Sequence, residues 1–140
     1  MSATLVPDLE LLRVSDRPVP GVEEVTVLSS TPLGASQFRL LLASPTIARS
    51  GLAGEFVMIT VPGGAEGRIL LPRPMAIHRR HLDQGTFEVI FKVAGRGTRA
   101  LSTVTAGARL TVTGPLGNAF ELPTGQGSVL LIGRGIGVCS

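Results

Sequence analysis

The residues in this 140-residue chain best suited to chemistry are two short groups built around arginine and glycine. The first is Leu71-Pro72-Arg73-Pro74-Met75-Ala76-Ile77-His78. Proline fixes its own φ, drives the preceding residue to an extended backbone and removes an N–H donor. Arg73, flanked by Pro72 and Pro74, is thereby held stiffly, and a guanidinium so held suits a bidentate grip on phosphate. The second group, Gly95-Arg96-Gly97-Thr98, stands where a short helix should begin. Its glycines let backbone N–H groups approach an anion, and a helix start adds partial positive charge. Thr98 can cap that helix and also touch a phosphate. Together the two groups can hold one diphosphate from two sides. Each has an ordinary alternative when taken alone: a surface ion pair for Arg73, and a plain strand-to-helix turn for the glycines.

Other chemistries find no support. Ser102 and Ser140 have no histidine or carboxylate in a usable arrangement, the acidic residues are scattered, and His78 at a strand end reads as structural. No side chain is assigned as catalytic, so any reaction here would belong to a cofactor. The single cysteine, Cys139, excludes an intramolecular disulfide. With only His78 and His81 beside it there is no zinc-ligand spacing, and no metal site is expected. These features fit a reducing, cytoplasmic setting.

The elements that must position these groups are short. Eighteen glycines and ten prolines punctuate apolar runs that alternate with period two, the pattern of an all-β barrel or sandwich. Strands are expected at 25–28, 37–43, 55–61, 74–79, 86–93 and 109–113. Phe38, Leu40 and Leu42 share one face, as do Val57, Ile59 and Val61. Phe87, Val89, Phe91 and Val93 point inward against Glu88 and Lys92. The leading prolines of the fourth strand limit it to starting at a strand edge. Helix is expected at 98–104, with one further turn at 44–49. Residues 62–67 read as a flexible loop, and residues 1–21 as a loosely ordered lead-in.

After Gly125-Gln126-Gly127 the pattern changes. Val129 to Ile132 is apolar throughout, as in a strand buried on both faces, and a glycine-rich turn follows it. Gly133-x-Gly135-x-Gly137 lacks the spacing of the dinucleotide fingerprint, yet a glycine turn after a buried strand favours nucleotide phosphate. The expected organisation is thus a barrel over 22–124 and, from 128 to 140, the start of a second, truncated α/β domain.

Composition narrows the partners. Net charge is +3, from twelve arginines and the lone Lys92 against ten acids, but His78-Arg79-Arg80-His81 is the only basic cluster. There is no Trp or Tyr on which single strands would stack. Nucleic acid is therefore not an expected partner, and no apolar run has the length of a membrane helix.

The ordered set of motifs resembles the flavin-binding domain of the ferredoxin reductase superfamily, and within it the electron transfer subunits of type B dihydroorotate dehydrogenase. Arg73-Pro74-Met75-Ala76 resembles that family's R-P-x-S segment, and Gly54-Glu55-Phe56-Val57-Met58 its G-Q-F-V-M. Ile90-Phe91-Lys92 and Gly97-Thr98 fall at its further flavin contacts, and Gly114-Pro115-Leu116-Gly117-Asn118-Ala119-Phe120 matches its G-P-L-G-x-x-F. Leu131-Ile132-Gly133-Arg134-Gly135-Ile136-Gly137 is similar to the opening of its nicotinamide domain.

The resemblance implies a six-stranded antiparallel Greek-key barrel with one short helix, holding FAD at its mouth. Arg73 would reach the diphosphate or ribitol, and Pro74, Met75 and Ala76 would lie along the isoalloxazine. Ile90, Phe91 and Lys92 would pass beside the flavin and adenosine, with Gly97 and Thr98 on the diphosphate. It also implies an oxidoreductase subunit of pyrimidine biosynthesis. Electrons would pass from a partner dihydroorotate dehydrogenase subunit containing FMN, in a heterotetramer, through a 2Fe-2S cluster and FAD to NAD. The cluster and NAD are expected only with sequence beyond residue 140, so this stretch alone would not reduce NAD. Ala76 stands where the family commonly has serine. Other readings are a ferredoxin–NADP reductase or sulfide dehydrogenase subunit, a basic nucleic-acid-binding barrel using Arg79, Arg80, Arg96 and Arg99, and an interaction module without cofactor.

Overall fold

The computed structural model describes residues 19–63, 67–125 and 127–140. The expected lead-in lies outside the described residues up to 18, and the expected loop at 62–67 lies outside them at 64–66. Among the described residues seven strands form one sheet: β1 (Gly21–Gly34), β2 (Gln37–Ala43), β3 (Phe56–Thr60), β4 (Arg73–Ala76), β5 (Arg79–His81), β6 (Thr86–Lys92) and β7 (Arg109–Leu116). Two short helices, α1 (Pro45–Ser50) and α2 (Arg96–Ser102), interrupt them, and a 3-10 turn spans Gly135–Cys139.

The strands form because their apolar residues alternate, and the alternation sends one face of each strand inward. Val25 and Val27, Leu40 and Leu42, Val57 and Ile59, Phe87 and Val89, and Leu110 and Val112 are all buried in one cluster. Phe91 joins it, and its ring stacks on Phe38 with centroids 5.9 Å apart. Glu88, expected on the solvent side of β6, does face away from this cluster but is itself buried. His81 Nε2 lies 3.0 Å from one of its carboxylate oxygens and Arg39 4.0 Å from the other, so two neighbouring strands cover it.

The sheet order is β4-β3-β7-β1-β2-β6-β5, with antiparallel ladders throughout. β4 and β5 are at its two ends, yet only Ile77 and His78 separate them in the chain. Two residues reach no more than about 7 Å, so the sheet must curl until its edges meet. The Ile77 N–H donates to the Glu55 carbonyl at 3.0 Å and the His78 N–H to the Glu88 carbonyl at 2.9 Å, which stitches the two edges together. The expected single strand at 74–79 is therefore two strands around a corner. That raises the count from six to seven; counted as one bent strand it restores six. β7 lies between β1 and β3, out of chain order, as a Greek key requires.

α1 is placed by its cap. The Ser44 hydroxyl accepts from the Ile47 N–H at 3.0 Å and donates to the Glu23 carboxylate, while Ile47 and Ala48 face the core. Ser44→Ala should lower stability by about 1–2 kcal/mol, read as a lower urea midpoint with an unchanged m-value. An unchanged midpoint would show that the cap is dispensable.

The expected strand at 129–132 is not formed. Leu130, Leu131 and Ile132 are 81%, 81% and 88% exposed, and no ladder reaches them among the described residues. An apolar run becomes a strand only where neighbours take up its backbone N–H and C=O groups.

Candidate functional site

Arg73 opens β4 at the sheet edge, opposite Ile59 of β3. Edge placement is what its flanking prolines require, since Pro74 has no N–H to give a second neighbour. Along β4, Met75 turns into the core, whereas Pro74 is exposed and Ala76 half-buried. The Arg73 guanidinium reaches across to the start of α2 and occupies the space over Gly97. A Cβ built on Gly97 would overlap its Nε and stand 3.0 Å from Cζ and from a terminal nitrogen. Only glycine permits that approach. The two groups singled out by sequence thus meet, and their meeting is a contact between arginine and backbone.

α2 begins two residues earlier than expected, with Gly95 as N-cap. Thr98 caps it from inside: its Oγ1 accepts from the Ala94 N–H at 2.9 Å and the Gly95 N–H at 3.1 Å. It also donates to the Gly95 carbonyl at 3.2 Å. The hydroxyl is therefore engaged in holding the turn. A seven-residue helix has little macrodipole, so the cations, not the helix end, dominate the electrostatics here.

Beside Arg73 opens a cleft of about 310 Å³, lined by Arg68, Ile69, Leu70, Leu71, Arg73 and Arg96. Three guanidinium groups around apolar side chains suit a ligand that is anionic at one point and flat and apolar at another. Arg68 and Arg73 make no hydrogen bond or ion pair among the described residues. Sequence reasoning missed Arg68, Ile69 and Leu70, and took Leu71 only as the start of the Arg73 segment. Their only signal is an arginine before an apolar triplet, and that pattern is common.

The third group lies on β6. Ile90 is half-buried and Lys92 exposed, on the outer face. The Phe91 side chain is spent on the core, as is that of Met75, so these two offer a ligand only backbone. The G-P-L-G segment is structural. Cβ atoms at Gly54 and Gly117, both at positive φ, would press on Phe120 and Phe56 respectively. The Phe120 N–H donates to the Ala53 carbonyl at 2.9 Å, which buttresses β3 and through it β4.

The glycine-rich end packs back on the barrel. His78 Nδ1 lies 3.2 Å from the Cys139 carbonyl; a carbonyl only accepts, so this nitrogen carries the proton. Cys139 is buried, and burial pushes its thiol pKa up, making it less reactive than a free cysteine. Among the described residues no cluster of His, Cys, Asp and Glu could hold a metal ion, and no helix is long and apolar enough to cross a membrane.

The curled antiparallel sheet in this strand order defines a class of fold. The fold matches the ferredoxin reductase in carbazole 1,9a-dioxygenase with a TM-score of 0.69 and 27% identity, over 86% of this chain and 37% of that one. The chain belongs to the ferredoxin reductase superfamily, as a domain with the flavin-binding fold. Within it the chain groups with electron transfer subunits of dihydroorotate dehydrogenase B (NAD(+)). It is 36% identical over 121 residues to that of Geobacillus thermodenitrificans, covering 84% of this chain and 46% of the relative. It is 33% identical over 119 residues to that of Enterococcus faecalis, covering 83% and 44%. The chain spans less than half the length of these relatives. No protein-family model matches it.

Proposed function

We propose that this chain is the FAD-binding part of an electron transfer subunit, serving an FMN-containing dihydroorotate dehydrogenase in pyrimidine biosynthesis in the cytoplasm. The observation that carries the reading is the Arg73 guanidinium seated on Gly97 beside an arginine-lined, partly apolar cleft. The chain's relatives are named as electron transfer subunits, which agrees with it.

The residues present fit the cofactor. Arg73 and Arg96 supply charge-assisted donors for a phosphoryl group of the diphosphate, and the bare backbone at Gly97 keeps the first of them in place. Pro74 and Ala76, on the outer side of β4, provide a rigid surface without titratable groups for the flavin ring. Ile90 and Lys92 border it from β6, with Lys92 able to reach a ribose or phosphate oxygen. FAD, when bound, supplies both the two-electron and the one-electron steps that such a carrier needs. The protein's part is to bind the ring, orient it and shield one face from water. Ala76 offers no hydroxyl to the ring where the family commonly has serine, so one polar contact is absent.

In this reading, 22–124 is the flavin domain and 128–140 begins a nicotinamide domain, whose remainder would hold NAD and the cysteines of a 2Fe-2S cluster. Cys139, buried against the barrel, is not among those ligands. The test is a visible spectrum of the purified chain after loading with FAD and desalting. A retained flavin spectrum is expected, without NADH-dependent bleaching. A colourless protein that takes up no FAD at micromolar concentration would overturn the reading.

A further inference from the structure

We infer that Arg68 makes this cleft select a dinucleotide over a mononucleotide, by holding the second phosphoryl group; this rests on the flavin reading above. The three cationic side chains of the cleft come from three separate elements. Arg73 is fixed at the start of β4 and Arg96 at the start of α2, while Arg68 comes from the connection between β3 and β4. Arg68 is exposed, lines the same cleft, and has no hydrogen-bond or ion-pair partner among the described residues. Two side chains of that connection, Leu70 and Leu71, are 76% and 68% exposed on the cleft wall. Apolar surface of this kind is covered by a flat ring laid on it, which a dinucleotide carries at each end of its diphosphate.

Charge alone does not make the distinction. A phosphate monoester such as FMN carries roughly −1.5 to −2 at neutral pH, and the two diester-like phosphoryl groups of FAD sum to about the same. Position makes it. Arg73 and Arg96 suffice for one phosphoryl group, since a forked guanidinium engages two oxygens at once. A third guanidinium on another element finds an oxygen only when a second phosphoryl group extends beyond the first. Arg68 therefore contributes to FAD and not to FMN.

The experiment is a set of fluorescence titrations of the chain with FAD and with FMN, and a competition with ADP, for the wild type, Arg68→Ala and Arg68→Lys. Arg68 contributes nothing to the core, so thermal melts of the three should coincide. Arg68→Ala should weaken FAD binding about tenfold, equivalent to about 1.4 kcal/mol, and leave FMN binding unchanged. ADP, which has the diphosphate without the flavin, should lose affinity in parallel with FAD. Lysine should restore part of the loss, because a point charge reaches phosphate but does not fork. Equal weakening of FAD and FMN, or an unchanged FAD-to-FMN ratio, overturns the role of Arg68 while leaving the flavin reading standing. A wild-type chain that binds neither FAD nor ADP overturns both.

Discussion

Arg73→Ala should weaken FAD binding by one to two orders of magnitude while leaving the folded chain as stable as before. The two halves of this expectation have separate causes. Hydrogen bonds from a charged group are worth about 1.5–3 kcal/mol net, which converts to about ten- to hundredfold in dissociation constant. Arg73 can make a bidentate pair from a position fixed by two prolines, so little ordering entropy is lost on binding. In the unliganded chain, by contrast, the same guanidinium is half-buried without an ion-pair partner among the described residues. Removing it takes away a desolvated charge and no core contact, so the melt should hold steady or rise slightly. That is the signature of a residue kept for binding at some expense to stability. A flavin titration and a thermal melt of the one variant check both halves. Unchanged FAD affinity would remove Arg73 from the site, and a large drop in melting temperature would recast it as structural.

Much of the barrel was legible because its physics is local. Period-two burial at Leu40 and Leu42, Val57 and Ile59, and Phe87 and Val89 follows from side-chain alternation along each strand and needs no knowledge of the partner strand. The closure was not legible. Ile77 and His78 have nothing in their composition to mark a corner; what bends the chain there is the pair of bonds to the carbonyls of Glu55 and Glu88, set by residues far away in sequence. The run at 129–132 failed the other way. Its apolarity signals burial in a sheet, but apolar residues make a strand only where neighbouring strands supply partners, and here they stand in solvent. Of the candidate residues, the prolines mark Arg73 as rigidly held, and the place of Thr98 beside a helix start marks it as a cap. Arg68 was not legible, because its meaning comes from a cleft shared with Arg73 and Arg96, which no spacing along the chain reveals. The sequence reading has a phosphate approach Gly97, whereas the atoms nearest it in the fold belong to the Arg73 side chain.

That distinction gives the last expected result. A glycine at Gly97 could leave room for a phosphate or for the arginine that holds one. The geometry favours the second, since the atoms that a Cβ would overlap belong to the Arg73 side chain. Gly97→Ala should then expel the guanidinium from its seat and weaken FAD binding about as much as Arg73→Ala, again by one to two orders of magnitude. In the Arg73→Ala background the same substitution meets no guanidinium, so it should do no further harm to binding. Alanine favours a helix over glycine by about 0.5–1 kcal/mol, so the double variant should even melt higher than Arg73→Ala alone. The two substitutions would be strongly non-additive, with a coupling nearly as large as either single effect. If their losses in FAD affinity instead add, the space over Gly97 belongs to the diphosphate itself, and Arg73 grips it from elsewhere. A double-mutant cycle of four flavin titrations, with a melt for each variant, decides between the two arrangements.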